Sequence, residues 1–148
     1  MTLILAQQWR LSPQDERRQL KVPFVLTESY QKLRLTFSYT PSQVAPAEAL
    51  PVITAALPTA FTATERAKLQ AADFLPLDNL ITVSLACGAD YLGCYHNKSA
   101  TQQLWLTCDQ SSWGLLPHEI AAGPWEVQLS THCLRSHLVE VNLRIEAI

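Results

Sequence analysis

Residues Ser112–Leu129 read SWGLLPHEIAAGPWEVQL and contain the clearest passage from a loop into a strand anywhere in the chain. The pair Gly123-Pro124 predicts a turn, and proline is tolerated at the first position of a strand because no ladder N–H is needed there. After the turn, Trp125 and every second residue are apolar, while the residues between them are polar. The stretch therefore predicts a strand with one buried face and one face in water.

The same alternation recurs along the chain. The last of these stretches, residues 139–145, has the cleanest pattern. In the stretch 19–26, Pro23 predicts either an edge strand or a bulged position. LITVSLA is apolar on both faces and so predicts a central strand, whereas residues 88–97 predict a loop or bent hairpin. The earlier strand-like stretches are LILAQQWRL (3–11), QLKVPFVL (19–26), KLRLTFSY (32–39), LITVSLA (80–86) and TQQLWLT (101–107).

Residues 42–76 differ from the rest because they are rich in alanine and proline. Pro46, Pro51 and Pro58 predict at most a short helix in the first half, since proline removes a helical N–H. Thr62 and Glu65 have capping-box spacing, which predicts a helix over about 63–73. We therefore predict one domain over 1–148: a mostly β, antiparallel sandwich of jelly-roll type with one Ala/Pro-rich helical insertion at about 42–76.

Composition narrows the classes of function. Hydrophobic residues make up 48% of the 148 residues and charged residues 16%, which is typical of a folded globular chain. The net charge of -2 gives no electrostatic footprint for nucleic acid or an anionic membrane. The opening MTLILA lacks the basic region of a signal peptide, and no apolar run is long enough to span a membrane. These features predict a cytoplasmic protein that binds neither nucleic acid nor a membrane.

The four cysteines, Cys87, Cys94, Cys108 and Cys133, match no zinc-binding spacing. Without an export signal, free thiols are expected, although two disulfides in any of three pairings stay open. Cys94 lies near His96 in a glycine-bearing loop, which loosely suits a nucleophilic Cys/His pair. No orienting third group is visible apart from Asp90, and a buried small hydrophobe is the alternative interpretation of such a cysteine.

The best metal candidates are His132, Cys133 and His137, with His96 or His118 as a more distant fourth ligand. Zinc takes four nitrogen or sulfur ligands, or three and a water. Because neighbouring residues on a strand point to opposite faces, His132 and Cys133 could converge only in a loop. A hairpin turn with solvated histidines and a packed cysteine is the alternative, and we predict no bound cofactor.

Three residues are candidates for contact with a ligand or a protein partner. Trp105 falls on the polar face of its strand, Trp113 lies in a serine-rich loop, and His118 follows in the same loop. Exposed tryptophans suit either sugar stacking or an interface hot spot. Trp125, by contrast, begins an apolar face and is predicted to lie in the core.

Four stretches carry a family resemblance: VPFVLTESYQKLRLTFSYTP (22–41), PLDNLITVSL (76–85), YLGCYHN (91–97) and SSWGLLPHEIAAGPWEVQL (111–129). In this order they resemble the N-terminal β-sandwich domain of PHP-associated metallohydrolases of the CehA/McbA type, the group that includes carbaryl hydrolase. The likeness extends over nearly the whole chain. The chain departs from that family's pattern at His118 and Glu119, where Gly-Pro is common, and at Pro124.

In that family the chemistry belongs to the PHP (polymerase and histidinol phosphatase) domain, whose ligands begin with a His-x-His motif absent from this chain. The resemblance therefore implies a non-catalytic accessory domain, either stand-alone or part of a longer protein, that packs against a PHP-type domain in cis or in trans. Self-association is a further expectation. The first alternative is a carbohydrate or small-ligand binding module, and the second is a small metal- or thiol-dependent enzyme.

Overall fold

Eight strands are the main elements of the computed structural model, which describes all residues from 1 to 148. Each predicted strand coincides closely with one of them, and the stretch after Gly88 forms a β4–β5 hairpin. In chain order the strands are β1 (Thr2–Leu11), β2 (Gln19–Leu26), β3 (Lys32–Thr40), β4 (Leu80–Cys87), β5 (Asp90–Tyr95), β6 (Thr101–Thr107), β7 (Gly123–Cys133) and β8 (Val139–Ala147).

The strands form two four-stranded antiparallel sheets, the first in the order β1–β8–β3–β6 and the second in the order β2–β7–β4–β5. Apart from the β4–β5 hairpin, every connection crosses from one sheet to the other. This is the strand order of a jelly roll, so the predicted sandwich is confirmed. As predicted, β2 with its Pro23 lies at an edge and β4 is a central strand.

The core lies between the two sheets and is built by alternation. In β3 every second residue from Leu33 to Tyr39 is buried, and β7 and β8 repeat the pattern. Each large apolar side chain buried in this way stabilises the fold by about 1.5–3 kcal/mol. Trp125 is among the largest, with its ring centroid 6.3 Å from that of Phe24 and its Nε1 donating to the Ala121 carbonyl at 3.1 Å. Trp125 is thus a core residue, as predicted.

The first and last strands of the chain are neighbours. β1 pairs with β8 from Thr2 opposite Ala147 to Leu11 opposite Val139. β8 also pairs with β3 on its other side, so it is a central strand of the first sheet. The first sheet is therefore complete only when β8 lies between β1 and β3.

The helical insertion differs from its prediction in the first half. Instead of a short helix, α1 runs from Pro46 to Ala60, through Pro51 and Pro58. Ala49, Ile53 and the half-buried Leu57 lie on one side of α1 and pack with Val44, Ala71, Leu75 and Leu77. Burial of this stripe outweighs the low helix propensity of proline, because tertiary packing supplies most of a helix's stability.

The prolines are tolerated because they lie on the solvent side of α1. Pro51 and Pro58 are exposed, and so are Ala47 and Thr54, whose carbonyls would otherwise accept from residues 51 and 58. Water can satisfy those two carbonyls, so the missing N–H groups leave no buried acceptor without a partner.

The second predicted helix is shorter than expected. The capping box is present, with Thr62 Oγ1 accepting from Glu65 N at 3.2 Å and Glu65 Oε1 accepting from Thr62 N at 2.9 Å. However, α2 covers only Ala63–Arg66, and a separate 3-10 turn covers Ala71–Phe74. No residue of α2 is buried, so nothing stabilises the helix beyond its capped turn. Neither α1 nor α2 has the length and apolar character that a membrane crossing requires.

Candidate functional site

Three large apolar side chains are exposed beside the edge strand β5. Trp113 is 86% exposed, Leu116 is 61% exposed and Tyr91 is 63% exposed. The loop that carries Trp113 and Leu116 lies against β5, where Leu116 N donates to the carbonyl of Leu92, at 2.7 Å, next to Tyr91. We call Tyr91, Trp113 and Leu116 the Trp113 surface. Grouped apolar side chains of this size on a surface are typical of a contact region.

The loop that carries Trp113 closes one side of the sandwich. Ser112 N donates to the Trp105 carbonyl of β6 at 2.9 Å, and Trp105 N donates to Ser112 Oγ at 3.0 Å. Leu115 then forms a bridge with Gly93 of β5. Since β6 and β5 are the edge strands of the two sheets on that side, the loop spans both edges and covers backbone groups that would otherwise be unpaired.

Two glycines allow the loop to lie so close to β5. Gly93 has φ +127° and Gly114 has φ +89°, both in the region that favours glycine. A Cβ on Gly93 would overlap the backbone of Gly114, and a Cβ on Gly114 would lie 2.8 Å from the Cys94 carbonyl oxygen. Leu115, which follows, is buried in the main core. The Trp113 surface therefore stands on a rigidly packed backbone.

His118 lies at the border of this surface and joins the loop to the start of β5. Its Nδ1 lies 2.7 Å from the Glu119 carbonyl oxygen, and its Nε2 lies 3.3 Å from Asp90 Oδ2. Its ring meets Trp125 edge to face, with centroids 5.8 Å apart. The structure thus places two sequence candidates, Trp113 and His118, in the same loop.

Trp105 lies elsewhere, on the outer face of the first sheet. In the register it stands opposite Arg34 of β3, and Lys32 Nζ is 4.7 Å from the centroid of its ring. A cation above an indole face orients the ring and stabilises its position. Trp105 thus belongs to a sheet face, whereas Trp113 belongs to the loop that the hydrogen bonds between Ser112 and Trp105 hold against β6.

The three metal candidates point in different directions. His132 Nε2 bonds to Thr82 Oγ1 at 2.8 Å on the outer face of the second sheet, and its ring faces that of His96, with centroids 5.7 Å apart. Cys133 points to the opposite face, and His137 lies in the β7–β8 loop beside Glu48. No group of three or more His, Cys, Asp or Glu side chains has the geometry to hold a metal.

All four cysteines are free thiols. Burial raises the pKa of the Cys133 thiol above its ordinary value of 9.0, and that of Cys87 in the same direction. A thiol with a raised pKa carries less of the thiolate that acts as nucleophile. Cys94 is exposed on β5, and His96 lies just beyond the end of that strand with its ring centroid 5.7 Å from that of His132.

A cleft of about 520 Å³ opens between α1 and the β7–β8 loop. Glu48 on α1 accepts from His137 N at 2.8 Å, and its other carboxylate oxygen lies 2.9 Å from His137 Nδ1. The hydrogen bonds from the His137 side chain and backbone hold the pKa of Glu48 below its ordinary value of 4.5. Glu140, on β8, completes the charged lining of this cleft.

The fully buried Asn79 connects the insertion to the sandwich next to this cleft. Its Nδ2 donates to the Pro41 carbonyl at 2.9 Å and to Ser136 Oγ at 2.8 Å, while its Oδ1 accepts from Arg135 N at 2.9 Å. Every hydrogen-bonding group of the side chain is thus used, as a buried amide requires. Asn79, Glu48, Tyr91 and Leu116 were not singled out from the sequence, because only the fold brings them to these places.

Neither a scan of protein-family models nor a search of curated proteins gives a match for this chain.

Proposed function

We propose that this chain is a non-catalytic accessory domain that binds a PHP-type metallohydrolase domain, in cis or in trans, through the Trp113 surface. The observation that carries the proposal is the joint exposure of Trp113, Leu116 and Tyr91 at one edge of the sandwich. The identity of the partner rests on the sequence resemblance alone.

The chemistry of the Trp113 surface supports an interface with a protein. Tryptophan and tyrosine are enriched among the residues whose truncation weakens binding most. Trp113 leaves most of its area in water, so a partner that covers it gains the burial of a large aromatic ring. The backbone beneath it is held by the Gly93–Gly114 contact, which lowers the entropy lost when the loop is fixed in a complex.

The border of the surface supports the same proposal. Asp90 stands next to Tyr91 on β5, and His118, whose Nε2 lies 3.3 Å from Asp90 Oδ2, follows Leu116 in the loop together with Glu119. An apolar centre with a polar rim is the usual anatomy of a protein interface. His118 would contact the partner only at this rim, while its bond to Asp90 keeps the loop in place.

The test is isothermal titration calorimetry, in which the purified chain is titrated with a purified PHP-type metallohydrolase domain from the same source. We expect Trp113→Ala to weaken binding by at least about tenfold, the range of an interface hot spot. Leu116→Ala should weaken it less. Val25→Ala is the matched control, because Val25 is also 63% exposed but lies on β2, at the opposite edge of the second sheet.

Two results would contradict the proposal. One is that no PHP-type domain binds at the highest concentration tested, and the other is that Val25→Ala weakens binding as much as Trp113→Ala. Light scattering after size exclusion distinguishes self-association: a dimer of the chain alone that Trp113→Ala converts to a monomer assigns the surface to a second copy instead.

A further inference from the structure

The outer face of the first sheet carries neutral polar side chains aligned across its strands. Gln8 of β1 is opposite Asn142 of β8, which is opposite Ser38 of β3, which in turn is opposite Thr101 of β6. Four amide or hydroxyl side chains therefore form one continuous row across the whole sheet. Such a row is a property of the register, because it joins residues from both ends of the chain.

The next row continues the pattern. Ala6 is opposite Arg144, which is opposite Thr36, which is opposite Gln103. The members of the two rows on β1, β8 and β3 border a groove of about 410 Å³, a volume in the range of small-molecule sites. Thr36, Ser38 and Asn142 are half-buried in its floor. We call this groove, lined by Ala6, Gln8, Thr36, Ser38, Asn142 and Arg144, the polar groove.

The charges on this face are paired at the two ends of the groove. At one end Glu146 accepts from Arg34, at 2.5 Å, and from Arg144 Nε, at 3.0 Å. At the other end Arg10 lies 3.9 Å from Glu140. The amides and hydroxyls between them are not used in these pairs, so they keep their donors and acceptors for water or a ligand.

The two sheets differ in this respect. On the outer face of the second sheet, Thr82 bonds to His132, and Ser84 Oγ donates to the Gln128 carbonyl oxygen. Both of these hydroxyls are satisfied within the protein, and Thr82 is only 2% exposed. The polar groove thus offers unused amide and hydroxyl side chains from β1, β8 and β3.

We propose that the polar groove binds a neutral oligosaccharide. A chain of sugar hydroxyls presents donors and acceptors in alternation, which matches a row of amide and hydroxyl side chains better than it matches paired charges. The groove crosses the three neighbouring strands β1, β8 and β3, so a ligand that lies along the rows would meet polar side chains from each of them. Trp105 lies on the same outer face, on β6, but Lys32 lies over its ring, so the groove is proposed to bind sugar through its amides and hydroxyls.

This proposal is independent of the proposed function, because the Trp113 surface lies on the loop beside β5 and the polar groove lies on the outer face of the first sheet. Binding is tested by calorimetry with four neutral probes: cellohexaose, xylohexaose, mannohexaose and chitohexaose. We expect at least one to bind with a Kd between about 10 µM and about 1 mM. Asn142→Ala and Gln8→Ala should each weaken it by about tenfold or more, since each removes one polar contact in the row.

Ala6→Trp provides a second test that removes no polar group. Ala6 is exposed, so the fold should tolerate the larger side chain, and the indole would fill the groove and abolish binding. Gln128→Ala is the control, because it removes an amide from β7 on the outer face of the other sheet. Trp113→Ala should also leave sugar binding unchanged, which separates this proposal from the proposed function.

The proposal is overturned if none of the four probes binds, or if binding survives Asn142→Ala, Gln8→Ala and Ala6→Trp. It is also overturned if a negatively charged probe, hexagalacturonate, binds more tightly than every neutral one. Thermal melting of each variant shows that a loss of binding does not come from a loss of the fold.

Discussion

The loop at 111–122 and the insertion at 42–76 are both irregular connections, yet the sandwich holds them in different ways. The loop sends Leu115 and Ile120 into the main core. The insertion has a small core of its own, centred on Ala49 and Ile53. A connection that shares the core contributes to global stability, whereas one with a separate core can open without unfolding the rest.

The largest effect that tests this contrast comes from removing the same atoms in both regions. Ile120→Ala should lower the free energy of unfolding by about 2–5 kcal/mol, because it leaves a cavity in the main core. Ile53→Ala should instead speed hydrogen exchange in α1 and leave exchange in the strands unchanged. Denaturant unfolding and exchange mass spectrometry measure the two outcomes. Equal losses of global stability would mean that insertion and sandwich unfold together.

A smaller effect is expected where the loop at 111–122 packs against β5 at Gly93. Gly93 and Gly123 have nearly the same φ, +127° and +129°, but only Gly93 meets another backbone when a Cβ is added. Both Gly93→Ala and Gly123→Ala incur the backbone strain. The overlap with Gly114 should lower the free energy of unfolding of Gly93→Ala by a further amount of about 1–3 kcal/mol. If the two variants melt at the same temperature, the close packing of loop and β5 does not stabilise the fold.

The smallest effect concerns the bond between α1 and the β7–β8 loop, and it depends on pH. The pKa of Glu48 is lower in the folded protein than its ordinary value of 4.5. The hydrogen bonds between Glu48 and His137 therefore stabilise the fold fully above about pH 4.5. This stabilisation is lost as the pH falls through the folded pKa. At about pH 7, exchange in α1 should therefore be slower in wild type than in Glu48→Gln, and this difference should shrink as the pH is lowered below 4.5.

Glu28→Gln is the control for this comparison, because Glu28 is exposed in the β2–β3 turn, away from α1. A difference between wild type and Glu48→Gln that persists unchanged at low pH would contradict the ionised Glu48–His137 bond.

Alternation within single strands was enough to predict the sandwich. Each of β3, β7 and β8 shows its buried face in its own residues, and the pattern needs no knowledge of neighbours. The prediction of at most a short helix where α1 lies is wrong because it, too, uses local sequence alone. Proline predicts a break in a helix from local geometry alone, but the local sequence does not indicate that Pro51 and Pro58 face solvent. That depends on which side of the helix the insertion buries.

The candidate sites were harder to predict because they join distant residues. Trp113 was singled out, yet its neighbour Tyr91 comes from β5, and only the bridge between Gly93 and Leu115 brings them together. Gln8 and Asn142 of the polar groove lie at opposite ends of the chain. For His132 and Cys133, the known alternation of a strand already indicated opposite faces, and the fold places them so. Register between strands, not residue type, carries the missing information.

The position of β8 between β1 and β3 determines when the first sheet can form during synthesis. β1 leaves the ribosome first but has no partner until β8, the last strand, is available. Pairing Thr2 with Ala147 closes a loop almost as long as the chain, a contact whose entropic cost slows folding. We therefore expect a nascent chain in which the second sheet and the β3–β6 pair form first. In the final step β8 then inserts between β1 and β3, and this joins β1 to the second sheet and the β3–β6 pair, which have already formed.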